Sequence, residues 1–397
     1  MFDARHSITL LFNANKVYDR QVIEGIGHYL QSSKVDWDIY LEEDFLCRLE
    51  NIQEWAGDGI IADFDDIDIQ QALENSPVPV VGVGGSYQNA EDYPNAPYIA
   101  TDNEAIVRAA YEHLRHRGIE RFAYYGVPLD ENHRWARERE NALLKITKEE
   151  GYECQVYRGH TTHPETWQYA MNRLTDWIQN LPTPIGIIAV TDSRARHILQ
   201  ACDHLGIEVP DRISVIGIDD DDIARHLSRI SLSSVTQGCF EMGYRAAKLL
   251  HKQLNNISIG NKKILIPPVG VASRQSTDFK SLKDAHVIQA MHFIRQYATK
   301  GIKVDQVTDY VGISRSNLEQ RFQAERGHSI HTEIHNEKLS RACKMLEETS
   351  VAPTEIANIC GYPSLQYMYA VFKKHFNQTP KAYRESLHNN EPRVVNF

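Results

Sequence analysis

Short apolar runs and helical stretches alternate from residue 8 to about residue 266. The apolar runs predict strands at residues 7–13, 37–41, 59–63, 78–83, 121–125, 155–157, 186–190 and 214–218. The stretches between them predict helices at residues 19–31, 104–117, 133–150, 165–180 and 193–205. Alternating strands and helices require parallel sheets with helices on both faces, so we predict two doubly wound lobes.

The pattern changes after residue 278. The stretch at residues 275–285 is short and polar, and we expect a linker at residues 278–285. Beyond the linker every pattern is helical, beginning with apolar positions at three-and-four spacing over residues 284–298. The chain therefore predicts an α/β core at residues 1–277, an all-α domain at residues 286–387 and a frayed tail at residues 388–397.

A helix-turn-helix pattern begins near residue 303. A short helix with valines at three-and-four spacing is followed by Gly312, where a positive φ costs little. Ser314 can cap a second helix, in which Leu318 and Phe322 face inward. The outward face of that helix carries Arg315, Ser316, Asn317, Gln320 and Arg321. One such pattern is weak evidence, since any helical hairpin can show it.

The same order of features recurs about 50 residues later. Residues 354–360 predict a helix, Gly361-Tyr362 a turn, and residues 364–376 a second helix. An amphipathic helix around residues 330–346 joins the two units. Two units with one internal order favour a DNA-binding module over chance helical packing.

Charge changes the picture because it is uneven along the chain. The net charge is −10, but residues 280–397 hold 16 Lys and Arg against 12 Asp and Glu, a net of +4. A basic module on an acidic body suits DNA binding, and ordinary surface variation would give the same asymmetry.

Composition excludes several classes of protein. Hydrophobic residues make up 42% and charged residues 24%, which are globular values. The apolar runs are too short for a membrane span or a secretory signal, so we expect a cytoplasmic protein with no membrane partner. The six widely spaced cysteines predict buried thiols rather than disulfides or a zinc site.

The C-terminal repeat resembles the arabinose-regulator (AraC/XylS) class of transcription factors. The resemblance rests on Gly361-Tyr362, Ser364, Phe372-Lys373-Lys374, Phe376 and Thr379-Pro380-x-x-Tyr383-Arg384, and it covers residues 284–386. It implies two recognition helices in successive major grooves of double-stranded operator or promoter DNA, and RNA polymerase as a further partner. By carry-over, base contacts are expected from Arg315, Ser316, Asn317, Gln320, Gln366 and Tyr367. Phosphate contacts are expected from Arg321, Lys373, Lys374 and Lys381.

The larger region is similar to the sugar-binding core of lactose-repressor-type regulators and periplasmic sugar-binding proteins. The resemblance rests on Asp58-Gly59-Ile60-Ile61, Val78-Pro79-Val80-Val81, Thr191-Asp192 and Val209-Pro210-Asp211-x-Ile213-Ser214-Val215-Ile216-Gly217-Ile218-Asp219. It implies one lobe at about residues 7–103 and 238–267 and another at about residues 104–236 and 268–277. Crossovers are expected near Asp102, Val235 and Pro268, and lobe-mediated homodimers are expected from the same family.

A sugar site needs carboxylates and amides for hydroxyl groups, an arginine for paired hydrogen bonds and an aromatic face for C–H groups. Such side chains belong at the carboxyl ends of strands. The candidate sugar-binding residues are Asp19, Arg20, Asp63, Trp135, Arg139, Asp192, Asp219 and Gln237, with Arg139 matching the sugar-clamping arginine of the family. Asp192 could instead cap the following helix, and Asp19 and Arg20 could be surface residues. Asp65, Asp66 and the run 220–222 are expected to be loop charges or helix caps, with Ca²⁺ binding as the alternative.

Other chemistries lack their motifs. Gly82-Val83-Gly84-Gly85 has neither the lysine of a phosphate loop nor a following helix of the dinucleotide type. No nucleophile and base appear at catalytic spacing, so we expect no enzyme activity, no catalytic residue, no metal and no cofactor. A non-regulatory sugar-binding protein stays open as an alternative function.

The order of the two modules narrows the resemblance further. A sugar-binding core followed by a double helix-turn-helix module resembles regulators that respond to a pentose, and it implies D-xylose as the effector. The expected function is activation of genes for xylose uptake and catabolism. A response to another pentose or small sugar is the alternative.

Overall fold

The computed structural model describes residues 5–41, 57–130, 133–161, 163–278, 282 and 284–388. The chain divides into two compact units, Met1–Phe279 and Lys280–Phe397. The first is an α/β core and the second is all-helical.

Within the described ranges the core contains two six-stranded sheets, one in each lobe. The first lobe has the strand order β11-β5-β4-β3-β1-β2, and all its neighbouring strands are parallel. The second lobe has the order β12-β10-β9-β8-β6-β7, in which only β12 runs antiparallel to its neighbour. The strands are β1 His6–Leu11, β2 Trp37–Tyr40, β3 Gly59–Asp63, β4 Val80–Gly85, β5 Tyr98–Thr101, β6 Phe122–Tyr125, β7 Cys154–Tyr157, β8 Ile185–Ala189, β9 Ile213–Ile218, β10 Ser233–Thr236, β11 Lys263–Ile266 and β12 Gly270–Ala272.

Helices cover the faces of both sheets. They are α1 Val17–Ser33, α2 Ile67–Ala72, α3 Asn103–Arg115, α4 Arg134–Glu149, α5 Trp167–Gln179, α6 Asp192–Leu205, α7 Asp222–Leu227 and α8 Cys239–Leu254. Central strands such as β3, β8 and β9 are buried along their whole length, as parallel strands covered on both faces must be. The predicted fold class, two parallel α/β lobes followed by a helical domain, is confirmed.

The chain passes between the two sheets three times. It leaves the first sheet after β5, returns after β10 and leaves it again after β11. The core ends in a turn at Gln275–Thr277, where Ser276 and Thr277 are fully buried. The first residues of the polar stretch that starts at position 275 therefore belong to the core.

The second unit contains seven α-helices and one short 3-10 helix, Ala298–Lys300, among the residues described. The α-helices are α9 Ala285–Tyr297, α10 Val304–Val311, α11 Arg315–Arg326, α12 Ile330–Glu348, α13 Pro353–Ile359, α14 Leu365–Phe376 and α15 Pro380–His388. Leu318 and Phe322 of α11 are fully buried, as are Met368 and Phe372 of α14. The two helix-turn-helix units thus repeat the same inward positions, as the sequence predicts.

Three cysteines, Cys202, Cys239 and Cys360, are buried. Cys154 and Cys343 are only half-buried, so the prediction of buried thiols is wrong for these two. All five are free, and Cys47 lies outside the described residues.

Candidate functional site

Polar side chains from the carboxyl ends of strands in both lobes meet in the cleft between them. One direct link is the hydrogen bond from Gln21 Nε2 at the start of α1 to the carbonyl oxygen of Asp219 after β9, 3.4 Å long. Burial raises the pKa of the Cys239 thiol, and charges from both lobes act on it: Asp219 and Asp19 raise this pKa, and Arg139 lowers it. This is the edge at which doubly wound folds bind their ligands.

Arg139 of α4 is the centre of a buried hydrogen-bond network. Its guanidinium donates to Asn103 Oδ1 at 3.0 Å, to the Val190 carbonyl at 2.8 Å and to Gln237 Oε1 at 3.0 Å. Gln237 in turn donates to Asp219 Oδ1 at 2.6 Å. Arg139 is 4% exposed. A guanidinium fixed by three acceptors has a defined orientation, as paired hydrogen bonding to a ligand requires.

Asp219 and Asp220 adopt an unusual backbone conformation at the end of β9. Their φ angles are 121° and 56°, a region that L-residues rarely occupy. Asp220 is held there by an ion pair with Arg274 at 2.7 Å and by a hydrogen bond from Thr236. Burial raises the pKa of the Asp219 carboxyl to about 6, although Arg139 lowers it. Strain of this kind, fixed by neighbouring groups, is typical of functional sites.

Asp192 holds the loop that follows β9 by two hydrogen bonds. One carboxylate oxygen accepts from the Asp221 amide at 2.7 Å and the other from the Ser234 hydroxyl at 2.7 Å. The residue that caps α6 is Thr191, so the alternative reading of Asp192 as the cap is wrong. Both oxygens of Asp192 are therefore used in holding the loop.

Two carboxylates and a lysine form a cluster in the first lobe. Asp63 at the end of β3 is 3.4 Å from Lys16 Nζ and accepts from the Asp65 amide at 3.0 Å. Asp19 is fully buried, and its Oδ2 accepts from the Asn13 amide at 2.5 Å. Burial, and then the charge of Asp63, raise the pKa of Asp19 to about 8, while Lys16 lowers it. The cluster therefore holds a carboxyl that can carry a proton near neutral pH.

Arg134 links the second lobe to the first at a point the sequence did not predict. It forms an ion pair with Asp65 at 2.6 Å and donates to the carbonyls of Gly85 and Ser86 at 3.2 and 2.5 Å. Its guanidinium lies 3.6 Å from the ring centre of Tyr87. The Arg134 and Asp65 side chains are 15% and 12% exposed, so this pair is shielded from water. This ion pair therefore joins the two lobes in the structure.

Two further residues, Trp135 and Arg20, were expected to bind the sugar. Trp135 is half-buried, and its ring lies 4.8 Å from the guanidinium of Arg139. Arg20 is exposed and donates to the carbonyls of Ala14 and Asn15, so it holds the loop after β1.

The structure adds Asn103 and Lys16 to the set of cleft residues. Asn103 follows β5, a strand that the apolar pattern did not predict, and its buried Nδ2 has no hydrogen-bond partner among the residues that the structure describes. The position after a strand is the signal that could have found it.

The acidic residues at 65–66 and 220–221 act as caps and in ion pairs. Asp66 caps α2 and Asp221 caps α7, as expected, whereas Asp65 and Asp220 form ion pairs. In the described part of the chain no group of three or more His, Cys, Asp or Glu side chains could hold a metal ion. Carboxylates, amides, a guanidinium and an indole together suit a ligand with several hydroxyl groups.

The exposed face of α11 carries the residues expected to contact DNA. Gly312 has φ 78° and the Ser314 hydroxyl accepts from the Asn317 amide, so both local predictions are confirmed. Arg315 pairs with Asp305 at 3.0 Å. Arg321 pairs with Asp284 at 2.5 Å and donates to Asn317 at 2.8 Å. Ser316 and Gln320 are also exposed on this face.

The second helix-turn-helix exposes one face of α14 in the same way. The Ser364 hydroxyl caps the helix, and Gln366, Tyr367, Lys373 and Lys374 are exposed, as is Lys381 at the start of α15. Leu365, an apolar residue at the start of α14, packs against the core of this unit.

Comparison with known proteins agrees with this architecture. Three family models match: the XylR N-terminal domain over residues 7–104, a periplasmic binding protein-like domain over residues 111–277 and a helix-turn-helix domain over residues 307–386. The two-lobed core and the helix-turn-helix domain together define a transcription regulator with a sugar-binding type of core.

Relatives identify the family within that class. The xylose operon regulatory protein of Escherichia coli K12 is 58% identical over 97% of this chain and 98% of its own length. The protein of the same name from Haemophilus influenzae is 50% identical over 97% and 99%. A solved structure of a xylose-binding transcription activator is 57% identical, with a TM-score of 0.89, over 97% and 99%. The chain belongs to the family of xylose operon regulatory proteins. These relatives are regulators and not enzymes, as the sequence predicts.

No helix within the described ranges is both long and apolar enough to cross a membrane.

Proposed function

We propose that the protein binds D-xylose in the cleft between its lobes and then activates transcription of xylose uptake and catabolism genes from the cytoplasm. The observation that carries this proposal is the buried network of Arg139, Gln237 and Asp219. It places donors and acceptors in fixed positions at the strand ends of the second lobe, on one side of the cleft. The names of the relatives support xylose as the ligand.

In the proposed complex the sugar hydroxyls bind Arg139, Asn103 and Asp219 on one side. Asp63, Asp19 and Lys16 bind them from the first lobe, and Trp135 and Gln237 complete the site. The unpartnered Nδ2 of Asn103 supports this arrangement, because a buried amide donor without a partner is costly and a sugar hydroxyl would satisfy it. Asp192 and Arg20 position the loops that carry these side chains.

The DNA-binding helices act on promoter DNA. Arg315, Ser316, Asn317 and Gln320 read one major groove, and Gln366 and Tyr367 read the next. Arg321, Lys373 and Lys374 bind phosphates. The active species is a homodimer that contacts RNA polymerase.

Xylose binding is tested by thermal unfolding of the full-length protein with D-xylose, L-arabinose, D-ribose and D-glucose. Only a ligand that prefers the native state raises its stability, by about 2.7 kcal/mol at a hundredfold excess over the dissociation constant. D-Xylose is expected to give the largest shift. An equal or larger shift with another sugar would assign the site to that sugar instead.

Arg139→Ala and Asp219→Ala test the site itself. Each is expected to abolish the xylose shift, since a charge-assisted hydrogen bond contributes roughly 1.5–3 kcal/mol. Arg108→Ala is the matched control, because Arg108 forms a surface pair with Glu104 on α3 and is not among the candidate sugar-binding residues. Xylose binding of wild-type strength by both site variants would show that the ligand binds elsewhere.

A further inference from the structure

Two histidines of α12 lie beside the start of α14. The Nε2 atoms of His331 and His335 are 3.3 Å apart, and the rings meet edge to face with centroids 4.5 Å apart. His335 also stacks on the ring of Tyr367, with centroids 5.8 Å apart, and its Nε2 is 3.3 Å from the phenol oxygen. Tyr367 is the third residue of α14, so the histidine pair flanks the helix that we place in a groove.

The surroundings of this pair are positively charged. The groups that act on His335 are His331 and Lys338 of α12 and Lys374 and His375 of α14. Burial, and then these charges, lower the pKa of His335, which favours its neutral form in the free protein. A nearby anion would have the opposite effect and favour the protonated ring.

The chemistry of the pair suits a phosphodiester better than a base. Base edges are read by residues on the recognition helix, whereas contacts from its flanks go mainly to phosphates. A protonated imidazole can donate a charge-assisted hydrogen bond to a phosphate oxygen. His331 is exposed, so an anion can reach the pair.

We infer that His331 and His335 form a proton-dependent binding site for a backbone phosphate of DNA, next to the groove that receives α14. The inference rests on the proposed DNA-binding function of α14. The pair takes up a proton when the phosphate binds, because a neutral ring becomes charged to meet the anion. Affinity for DNA must then rise as the pH falls.

The test is fluorescence anisotropy of labelled promoter DNA with the full-length protein, at saturating D-xylose, fixed ionic strength and with EDTA present. Uptake of about one proton should make wild-type binding roughly 5- to 10-fold tighter at pH 6 than at pH 8. The salt dependence should also be steeper at pH 6, by a slope of about 0.9 for one additional phosphate contact.

The double variant His331→Gln/His335→Gln is expected to lose most of the pH dependence and the extra salt slope. Its affinity should fall much more at pH 6 than at pH 8. His204→Gln is the matched control, because His204 is an exposed histidine in the last turn of α6. This helix belongs to the α/β unit and not to the helical unit. Tyr367→Phe keeps the aromatic ring beside His335 and should keep the pH dependence.

Four results separate the possibilities. A double variant with the wild-type pH profile, or a wild-type profile that is flat, overturns the inference. Equal losses at both pH values, in a variant with unchanged circular dichroism, would assign the pair to support of Tyr367 and also overturn it. Wild-type protein that binds promoter DNA at no pH would count against the proposed function itself.

Discussion

Gly85 ends β4 where the two lobes touch, and its replacement by alanine tests how closely they must meet. A Cβ atom at this position would lie 2.9 Å from Trp135 Cβ and 2.9 Å from Asn103 Nδ2. Carbon atoms in favourable contact are about 3.5–4.0 Å apart. Trp135 belongs to α4 of the second lobe, so the added methyl group would push the lobes apart at the mouth of the proposed site.

The size of the effect follows from the cost of overpacking, about 1–3 kcal/mol for an added methylene in a well-packed place. Since each 1.4 kcal/mol is tenfold in affinity, Gly85→Ala is expected to raise the xylose dissociation constant about 5- to 150-fold. Isothermal titration calorimetry measures this directly. Circular dichroism should be unchanged, because the methyl group faces the cleft rather than the core of either lobe.

Gly27→Ala is the matched control for this experiment. Gly27 lies inside α1, and a Cβ atom there would meet no atom within 4 Å. Alanine should stabilise that helix by up to about 1 kcal/mol and leave xylose affinity unchanged. Xylose affinity of wild-type strength in Gly85→Ala would show that the sugar does not require the lobes to close at this point.

Three further predictions concern the pocket carboxyl, the recognition helices and the coupling between sugar and DNA. Folding raises the pKa of the Asp19 carboxyl, so this group destabilises the folded protein as the pH rises from about 4 to about 8. Asp19→Asn should therefore gain stability over wild type in urea unfolding at pH 8.5 but not at pH 4, and an equal gap at both pH values would contradict this. Arg315→Ala and Gln366→Ala should each weaken specific promoter binding by about 1–3 kcal/mol in anisotropy titrations. Equal losses on promoter and random DNA would indicate phosphate contacts instead. Promoter DNA should tighten xylose binding by the same factor by which xylose tightens DNA binding, roughly 5- to 150-fold, and equal xylose dissociation constants with and without DNA would exclude coupling at equilibrium.

The apolar runs predict the strands β1–β4 and β6–β9, whereas β5, β10, β11 and β12 are not predicted. β10 contains two serines that are fully buried, because Ser233 bonds to Thr277 and Arg274 and Ser234 bonds to Asp192. Its stability comes from residues distant in sequence. A local pattern of hydrophobicity carries no information about such partners.

The same distinction applies to the candidate site. Asp63 and Asp219 could be proposed because they follow recognisable strands. The ion pair between Arg134 and Asp65 joins residues that are 69 positions apart and lie in different lobes. Neither residue has a local sequence feature that distinguishes it from an ordinary surface charge. Asn103 was missed because β5, the strand before it, is not among the strands that the sequence predicts.

The position of the Arg139 network explains how a ligand in the cleft could influence the rest of the chain. Its acceptors include Asn103 and Gln237, which lie in two of the three segments where the chain crosses between the sheets. The end of the core is tied to the second sheet, since Ser276 donates to the Val215 carbonyl at 2.6 Å. If the sugar binds Arg139 as proposed, it is linked by hydrogen bonds to residues in two of the crossovers. The core ends in the lobe that carries Arg139, and the helical unit follows it in the sequence. Coupling of sugar to DNA then requires only that the ligand has different affinities for the open and closed arrangements of the lobes, and no separate relay through the core is needed.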